Sequence, residues 1–360
     1  MPDPFMNAAL VLLGNQPEGE SGRAARGLLE VLGYAPTGGN AAGAAVLDAE
    51  TRHRARLLEM AARSARIFEL GAPDAPGLIS LGAEFDPALA DPLHQGSPLI
   101  GVSGVGLTLQ QAFERCVGEG IEYLSQLQTG HDVVSRSASA DRMAMLDPQT
   151  RDFIAALAVA RREPDAELSW HPARRLIDNS ETLDSVTWLP ADLCLRRPQA
   201  QQDFTPPFPL SVGSAAGTSW EGAALHGLLE LIERDAASLW WRGGVRGRAI
   251  APEQEAGTEA LLRQLRPDGA GPRRTWLLDI TTDLGIPSVA AISCRADGFG
   301  FAFGLAARPS LAAAIGSAIL EMCQLELAYA VVEAKRRERG EGGLNAKDRI
   351  HLQRAGAINA

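Results

Sequence analysis

The chain has 360 residues, of which 46% are hydrophobic and 22% charged, a composition typical of globular proteins with one large domain or two moderate ones. Its net charge of −10 disfavours nonspecific binding to phosphate backbones, and we find no uncharged apolar run of about 18 residues that could span a bilayer. We therefore expect neither nucleic acid nor membrane as a partner and, because the N-terminus has no basic signal-peptide region, a cytoplasmic location.

Residues 1–75 are predicted to form a small α/β or helical accessory module. The apolar run "AALVLLGN" is followed by helical patterns at 22–33 and 49–68, and "GAPDAPG" at 71–77 has the glycine and proline content of a linker. Two interpretations stay open, namely a module that holds a partner and a simple extension packed on the rest of the protein.

The glycines and lysines argue against several enzyme classes. "GVSGVG" at 101–106 lacks the G-x-G-x-x-G spacing of a dinucleotide loop, so a phosphate-binding role for it is unfavoured. The only lysines are Lys335 and Lys347, near the C-terminus. P-loop enzymes, protein kinases and Schiff-base enzymes each need a lysine in the core, so the sequence disfavours all three.

An internal repeat is the strongest signal in the sequence. Three segments, 108–122, 219–233 and 310–324, place a hydroxyl residue first, alanine four positions on, glutamate seven positions later and an acid or amide three positions after that. The residues are Thr108, Ala112, Glu119 and Glu122; Ser219, Ala223, Glu230 and Glu233; and Ser310, Ala314, Glu321 and Gln324. The pattern predicts three capped helices, each with its polar pair on one face.

The polar pairs have two interpretations. An isolated E-x-x-E is more often a solvated turn of an amphipathic helix. Recurrence at the same depth of three helices instead indicates a shared cleft, where five carboxylates and an amide require cations. Oxygen ligands without histidine or cysteine select Mg²⁺, usually together with substrate phosphates. The residues therefore favour a Mg²⁺-nucleotide site built without a P-loop.

Strand-like runs lie between and around these helices. They are "SVTWLPADLCL" at 185–195, "TWLLDITTD" at 275–283, "IPSVAAISC" at 286–294 and "FGFAFGLAA" at 299–307. The last helix is predicted to run from Ser310 to about Arg339 and to stop at Gly340. Together they predict an α+β protein with mixed sheets that carry the three acidic helices.

The stretch "SAAGTSWEGAALHGLLELIERDAASLWW" resembles the most recognisable block of the YcaO family. The earlier "GEGIEYLS" and the later "AILEMCQ" extend the resemblance to roughly residues 95–335. It implies a YcaO-like fold in which the three helices line an ATP and Mg²⁺ site. We expect a catalytic domain at 76–345, after the module at 1–75 and before a tail at 346–360.

The resemblance implies an enzyme that uses ATP and Mg²⁺ to activate a peptide backbone amide by phosphorylating its oxygen. A neighbouring Cys, Ser or Thr as nucleophile would give an azoline, and external sulfide a thioamide. Implied partners are a precursor peptide and a TfuA-like or E1-like protein, and a homodimer stays open.

Site residues carry over position by position. The family's acids that bind nucleotide-bound Mg²⁺ match Glu119, Glu122, Glu230 and Glu233. Arg234 matches an arginine at the phosphates and is the predicted catalytic residue, whereas Glu321 and Gln324 match the polar pair of the third helix. A salt bridge from Arg234 to Glu230 is the alternative structural role.

This chain departs from the family pattern at several positions. Tyr123 replaces a common arginine, Gly222 a glutamate, Thr218 an asparagine and Arg115 a serine, while the C-terminal "HLQRAGAINA" lacks the proline-rich ending of many azoline-forming members. These changes favour thioamide chemistry or an atypical cyclodehydratase. Two alternatives remain, a catalytically weakened scaffold that binds a peptide or partner enzyme and, least favoured, an unrelated Mg²⁺-dependent phosphotransferase.

Overall fold

The computed structural model describes residues 49–157, 166–174, 186–208, 210–251, 257–267 and 273–357. The apolar run and the helical pattern expected before residue 49 lie outside the described residues. The chain divides into two compact units, which follow the sequence differently from the three segments predicted above. The first holds 1–85, 100–121 and 215–360, and the second holds 86–99 and 122–214.

The described helices and strands alternate along the chain. The helices are α1 (Ala49–Ala62), α2 (Leu109–Ser125), α3 (Ser139–Met145), α4 (Pro148–Ala156), α5 (Trp220–Trp241), α6 (Thr258–Leu265), α7 (Leu311–Arg339) and α8 (Ala346–Ala357). The strands are β1 (Arg66–Leu70), β2 (Ile79–Phe85), β3 (Ile100–Gly106), β4 (Ser135–Ala138), β5 (Glu167–Arg174), β6 (Val186–Pro190), β7 (Arg248–Ile250), β8 (Arg273–Asp279), β9 (Ser288–Arg295) and β10 (Ala302–Ala307). The mixture of helices and sheets confirms the predicted α+β class.

The three-stranded sheet of the first unit is antiparallel, in the order β1-β2-β3. The segment 71–77, predicted to be a linker, is the connection between the paired strands β1 and β2. Its Ala72 and Ala75 are buried in the main hydrophobic core, because alanine side chains are small enough to let this turn pack closely. The glycine-rich 101–106 segment lies in β3, and a Cβ on Gly104 would stand 2.2 Å from the backbone nitrogen of Cys116. Gly104 therefore allows β3 to contact α2.

The four-stranded sheet of the first unit is antiparallel, in the order β10-β9-β8-β7, and lies between α5 and α7. Alternate residues of a strand point to opposite faces. Val289 and Ala306 accordingly share a core with α7, whereas Ala290 and Leu305 share one with Ala236 of α5. By length and hydropathy alone α7 could cross a membrane, but half of its apolar stretch is buried inside the protein, as in a core helix.

The three helices of the internal repeat begin directly after their hydroxyl residues, as the sequence predicted. Ser219 caps α5 by accepting a hydrogen bond from the Gly222 nitrogen, and Ser310 caps α7 by accepting one from the Ala313 nitrogen. The Thr108 hydroxyl accepts a hydrogen bond from the Gln111 nitrogen at 3.2 Å. Gly340 follows the last residue of α7, as expected.

The second unit packs α3 and α4 with the antiparallel sheet β4-β5-β6. Its loops are joined by the buried Arg197, which contacts Asp192 at 3.2 Å and Asp203 at 3.1 Å. Arg197 Nε also donates to Gln128 at 3.0 Å. These charge-assisted hydrogen bonds satisfy groups that would otherwise be buried at a high cost in free energy.

Candidate functional site

The central helix α5 presents Glu233 from the stripe of side chains that faces the sheet. Glu233 is 7% exposed, like its inward neighbours Leu229 and Ala236. Arg234 lies beside it, 3.7 Å from a Glu233 oxygen and 3.4 Å from a Glu230 oxygen. The predicted alternative of an Arg234–Glu230 pair is therefore present, and the same guanidinium also reaches Glu233. One helical turn thus brings together two acids and an arginine.

Glu321 of α7 joins this group at the open edge of β10. Its Oε2 accepts a hydrogen bond from the Leu305 nitrogen at 3.1 Å. Burial raises the pKa of Glu321 despite this hydrogen bond and the positive charges of Arg234 and Arg308. Burial, followed by the negative charge of Glu321, raises the pKa of Glu233 to about 8. The surroundings therefore do not fully stabilise the ionised form of either acid, and both bind a proton more readily than an exposed glutamate.

The charged form of Arg234 is favoured, unlike the charged forms of Glu233 and Glu321. Burial disfavours its charged form, but the carboxylates of Glu233, Glu321 and Glu230 together raise its pKa. The arginine remains 44% exposed at its side chain. It can therefore neutralise these acids and still offer hydrogen-bond donors to a ligand.

Glu119 of α2 occupies the matching position at the edge of β3. Its Oε2 accepts a hydrogen bond from the Ser103 nitrogen at 3.1 Å, and the Ser103 hydroxyl accepts one from Gln324 of α7 at 2.8 Å. Burial raises the pKa of Glu119, against the Ser103 hydrogen bond and the charge of Lys347. Because the residue also keeps solvent access, it has the setting of a side chain that lines a cleft.

Glu122 follows one turn later, in the part of α2 that belongs to the second unit. Its backbone oxygen accepts a hydrogen bond from the Ser125 hydroxyl at 2.7 Å. Its grouping with the other acids stays a prediction. In the first unit the structure brings Glu230, Glu233, Arg234 and Glu321 together, and it links Glu119 to Gln324 through Ser103.

Two basic residues near the acids were not selected from the sequence. Arg308, directly after β10, lowers the pKa values of Glu233 and Glu321 from their buried levels. The charge of Lys347 in α8 likewise lowers the pKa of Glu119 from its buried level, although the position of this lysine near the C-terminus did not indicate a place beside the acids. A helical pattern in 346–357 could have suggested α8, but no sequence signal indicated its proximity to α2.

The donor set suits Mg²⁺ held together with a ligand. Among the described residues, no group of three or more His, Cys, Asp or Glu side chains is arranged to hold a metal ion by itself. Mg²⁺ bound to a nucleotide needs only one or two carboxylates, because phosphates and waters complete its octahedron. The acids around Arg234 fit that requirement, and Glu230 and Glu233 each lie within ion-pair distance of it.

Three cysteines and one tryptophan of the first unit have packing roles. Cys116, Cys294 and Cys323 are buried, and burial raises the pKa of the Cys116 and Cys323 thiols to about 12. Trp240 packs against the core between α5 and the sheet. These cysteines and this tryptophan therefore pack in the interior.

Comparisons with known proteins identify a family for the chain. The family model for YcaO cyclodehydratases, described as binding ATP and Mg²⁺, matches residues 103–357. No curated protein sequence matches the chain significantly.

Solved structures share the fold. A YcaO protein from Methanopyrus kandleri, bound with AMPPCP and Mg²⁺, is 19% identical, with a TM-score of 0.58 over 86% of this chain and 74% of that one. A heterocyclase in complex with substrate and cofactor is 23% identical, with a TM-score of 0.57 over 77% of this chain but only 39% of that one. The microcin synthetase McbBCD complex of E. coli is 14% identical, with a TM-score of 0.54 over 78% of this chain and 68% of that one.

The family match includes every predicted site residue, from Glu119 to Gln324. ATP and Mg²⁺, the predicted cofactors, are those that the family's description gives. With a match over more than half of its length and the same fold in solved relatives, the chain belongs to the YcaO family.

Proposed function

We propose that this chain uses ATP and Mg²⁺ to activate a backbone amide of a peptide by phosphorylating the amide oxygen. The observation that carries the proposal is the grouping of Glu230, Glu233 and Glu321 around Arg234, inside the segment that matches the family model. The three acids outnumber Arg234 and Arg308, the arginines near them, which favours a divalent cation, and Arg234 itself suits phosphate oxygens.

The reaction balances as follows. A nucleophile adds to the amide carbon. The resulting oxyanion then takes the terminal phosphoryl group of ATP, and ADP leaves. Loss of phosphate and of a proton then leaves the carbon doubly bonded to nitrogen in an azoline, or to sulfur in a thioamide. When bound, Mg²⁺ neutralises charge that develops on the transferred phosphoryl group.

The chain's own residues divide this work. We assign the metal to Glu119, Glu122, Glu230 and Glu233, and the phosphates to Arg234, which is the catalytic residue because its guanidinium would touch the reacting group. Glu321 and Gln324 complete the site, where the hydrogen bond to Ser103 holds the Gln324 amide in place. Positioning and electrostatic stabilisation are the main contributions that a protein makes to phosphoryl transfer.

We further propose a thioamide or an atypical azoline as the product in a ribosomally made peptide. The support is the departure of this chain from the family pattern at Tyr123, Gly222 and Thr218. A TfuA-like protein is the proposed partner for thioamides and an E1-like protein for azolines. The microcin synthetase that shares the fold is itself a multiprotein complex. Thioamide and azoline products differ in mass change, so mass spectrometry of the modified peptide separates them.

The test is nucleotide binding by variants that keep the shape of each side chain. Glu230→Gln and Glu233→Gln should each weaken Mg²⁺-dependent binding of a nonhydrolysable ATP analogue roughly 10-fold or more, measured by calorimetry, because each loses a charged ligand. The control is Glu259→Gln on α6, an exposed acid paired with Arg263 at 3.1 Å. Wild-type affinity in both site variants would contradict the metal assignment.

A catalytically weakened scaffold is the second candidate. It is favoured by Gly222, which stands where the family pattern has a glutamate. An added Cβ there would meet only the Ser219 hydroxyl, at 3.5 Å, so packing does not require a side chain at this position. It is also favoured by Tyr123, whose ring is covered by the Arg196 guanidinium at 4.3 Å. Peptide binding without ATP turnover, with the partner protein present, would select this candidate over the enzyme.

A further inference from the structure

The open edge of β3 is closed by two side chains from one face of α2. Glu119 Oε2 accepts from the Ser103 nitrogen at 3.1 Å, and Arg115 Nη1 donates to the Val105 oxygen at 2.8 Å. The two residues are four positions apart on the helix, so they share a face. An acid therefore binds a free N–H of the edge strand, and an arginine binds the free C=O two residues further on.

The open edge of β10 shows the same arrangement. Glu321 Oε2 accepts from the Leu305 nitrogen at 3.1 Å, and Arg308 Nη1 donates to the Ala307 oxygen at 2.8 Å. Again the acid binds an N–H and the arginine a C=O two residues later. The edge strands β3 and β10 thus carry equivalent acid and arginine caps.

These caps lie near one another. Val105 of β3 and Ala306 of β10 belong to the same hydrophobic core, and Gln324 of α7 donates a hydrogen bond to Ser103 of β3. Burial and then the charge of Arg308 lower the pKa of Arg115, so the two guanidinium groups repel each other. Among the described residues, neither arginine has a carboxylate oxygen within the 4.0 Å of an ion pair.

Each arginine retains unused hydrogen-bond donors. A guanidinium has several N–H groups in a planar fork, and one of them is occupied here by a strand carbonyl, which fixes the direction of the rest. Two cations held together in a partly desolvated place gain most from an oxyanion that carries more than one negative charge. Glu233 and Glu321 lie nearby and would repel a bound molecule whose only charged group is a carboxylate, unless a metal ion accompanied it.

We propose that Arg115 and Arg308 bind the terminal phosphate group of the nucleotide and so make the site selective for a triphosphate. This inference rests on the proposed function, because it assumes that Mg²⁺-nucleotide occupies the acidic site. Arg234 then contacts the phosphates from α5, while the arginine pair contacts their far end from the two strand edges. Neither arginine was a predicted site residue.

Glutamine variants test the proposal. Arg115→Gln and Arg308→Gln each keep an N–H donor for the strand carbonyl but lose the positive charge. The control is Arg248→Gln on β7, at the opposite edge of the sheet, where Arg248 pairs with Asp279 at 2.7 Å. The probes are AMP, ADP and a nonhydrolysable ATP analogue, each titrated with Mg²⁺ in a calorimeter.

The two site variants should bind the ATP analogue roughly 10- to 100-fold more weakly than wild type. AMP affinity should be unchanged, and the control should match wild type throughout. Lysine at either position should restore part of the triphosphate preference, because the positive charge returns whereas the planar guanidinium group does not. Thermal melting of each variant establishes that it is folded.

The possible negative results distinguish a failure of this inference from a failure of the proposed function. Equal losses for AMP, ADP and the ATP analogue would overturn the inference, since the arginines would then only maintain the shape of the site. Unchanged affinity for the ATP analogue in both glutamine variants would also overturn it, leaving a carboxylate of the peptide as the ligand to examine, and the proposed function would stand. Wild-type protein that binds no Mg²⁺-nucleotide would overturn the proposed function and the inference together.

Discussion

Glu233, buried on α5, and Glu321, half-buried on α7, interact with each other although their helices pack on opposite faces of one sheet. They can do so because β10 is the edge strand, where Glu321 accepts a hydrogen bond from the Leu305 nitrogen. A closed sheet would keep the two helices apart. The acidic site is therefore built at a sheet edge, where both faces are within reach.

The ligand-free protein should lose stability as the pH rises, through Glu233. Its folded pKa of about 8 lies above the ordinary value of 4.5. The stabilising contribution of its proton is complete below 4.5 and is lost as the pH rises through about 8. Glu233→Gln should flatten this part of the curve of unfolding free energy against pH, measured with urea.

Glu259→Gln, at an exposed position, provides the comparison and should keep the wild-type slope. A slope shared by wild type and Glu233→Gln would show that other groups produce the pH dependence.

Glu326 should be essential for stability and not for ligand binding. Its Oε1 contacts Arg266 at 2.7 Å and Arg273 at 2.9 Å, and the residue is 2% exposed. Glu326→Gln leaves the buried Arg266 without a counter-charge and Arg273 with Asp74 alone, which costs about 3–5 kcal/mol of unfolding free energy. Urea denaturation measures the loss.

The matched change on the same helix is Glu333→Gln, which removes an exposed pair with Arg336. It should cost less than about 1 kcal/mol. Comparable losses at the two positions would show that the buried network does not depend on Glu326.

Gly304 should tolerate no side chain. A Cβ there would lie 2.1 Å from the Ala318 oxygen and 2.2 Å from the Met322 nitrogen, both of them backbone atoms of α7. Gly304→Ala must push α7 from the sheet and should lower the free energy of unfolding by about 1–3 kcal/mol or more. Gly316→Ala, with only Leu261 Cδ2 at 4.0 Å, should instead raise it by about 0.5–1 kcal/mol. Equal effects would contradict the close packing of β10 on α7.

Lys347→Gln should weaken nucleotide binding by an amount that depends on pH. The Lys347 charge lowers the pKa of Glu119, so its removal raises that pKa. At low pH the variant should bind Mg²⁺-nucleotide more weakly, because more Glu119 is protonated; at high pH the loss should vanish, because Glu119 is ionised in either protein. Calorimetry at several pH values tests this, and a loss of the same size at every pH would contradict it.

Much of the fold could be predicted, because local chemistry determines it. Ser219 and Ser310 mark the starts of α5 and α7 through cap hydrogen bonds to nearby backbone, and Gly340 marks an end. The runs that became β8, β9 and β10 are apolar and β-branched or aromatic enough to favour strands. Family resemblance located the acids of α5 and α7.

The remainder depends on long-range contacts that leave little trace in the sequence. Ala72 and Ala75 look like part of a linker, yet their small side chains fill the core beside β1. Arg308 follows a strand as any solvent-facing arginine could, and only the neighbouring helices show that it approaches Glu233 and Glu321. Lys347 reaches Glu119 through the packing of α8, which the tail's composition did not indicate.

The proximity of Lys347 to Glu119 also provides a chemical handle. The chain has only two lysines, and Lys335 is engaged in an ion pair with Asp348, whereas Lys347 is exposed. An amine-reactive fluorophore should therefore label Lys347 in preference to Lys335 and place a reporter beside the acidic cleft. Its emission would follow occupancy of the site in real time with every acid in place, although the pKa of Glu119 rises when the Lys347 charge is lost.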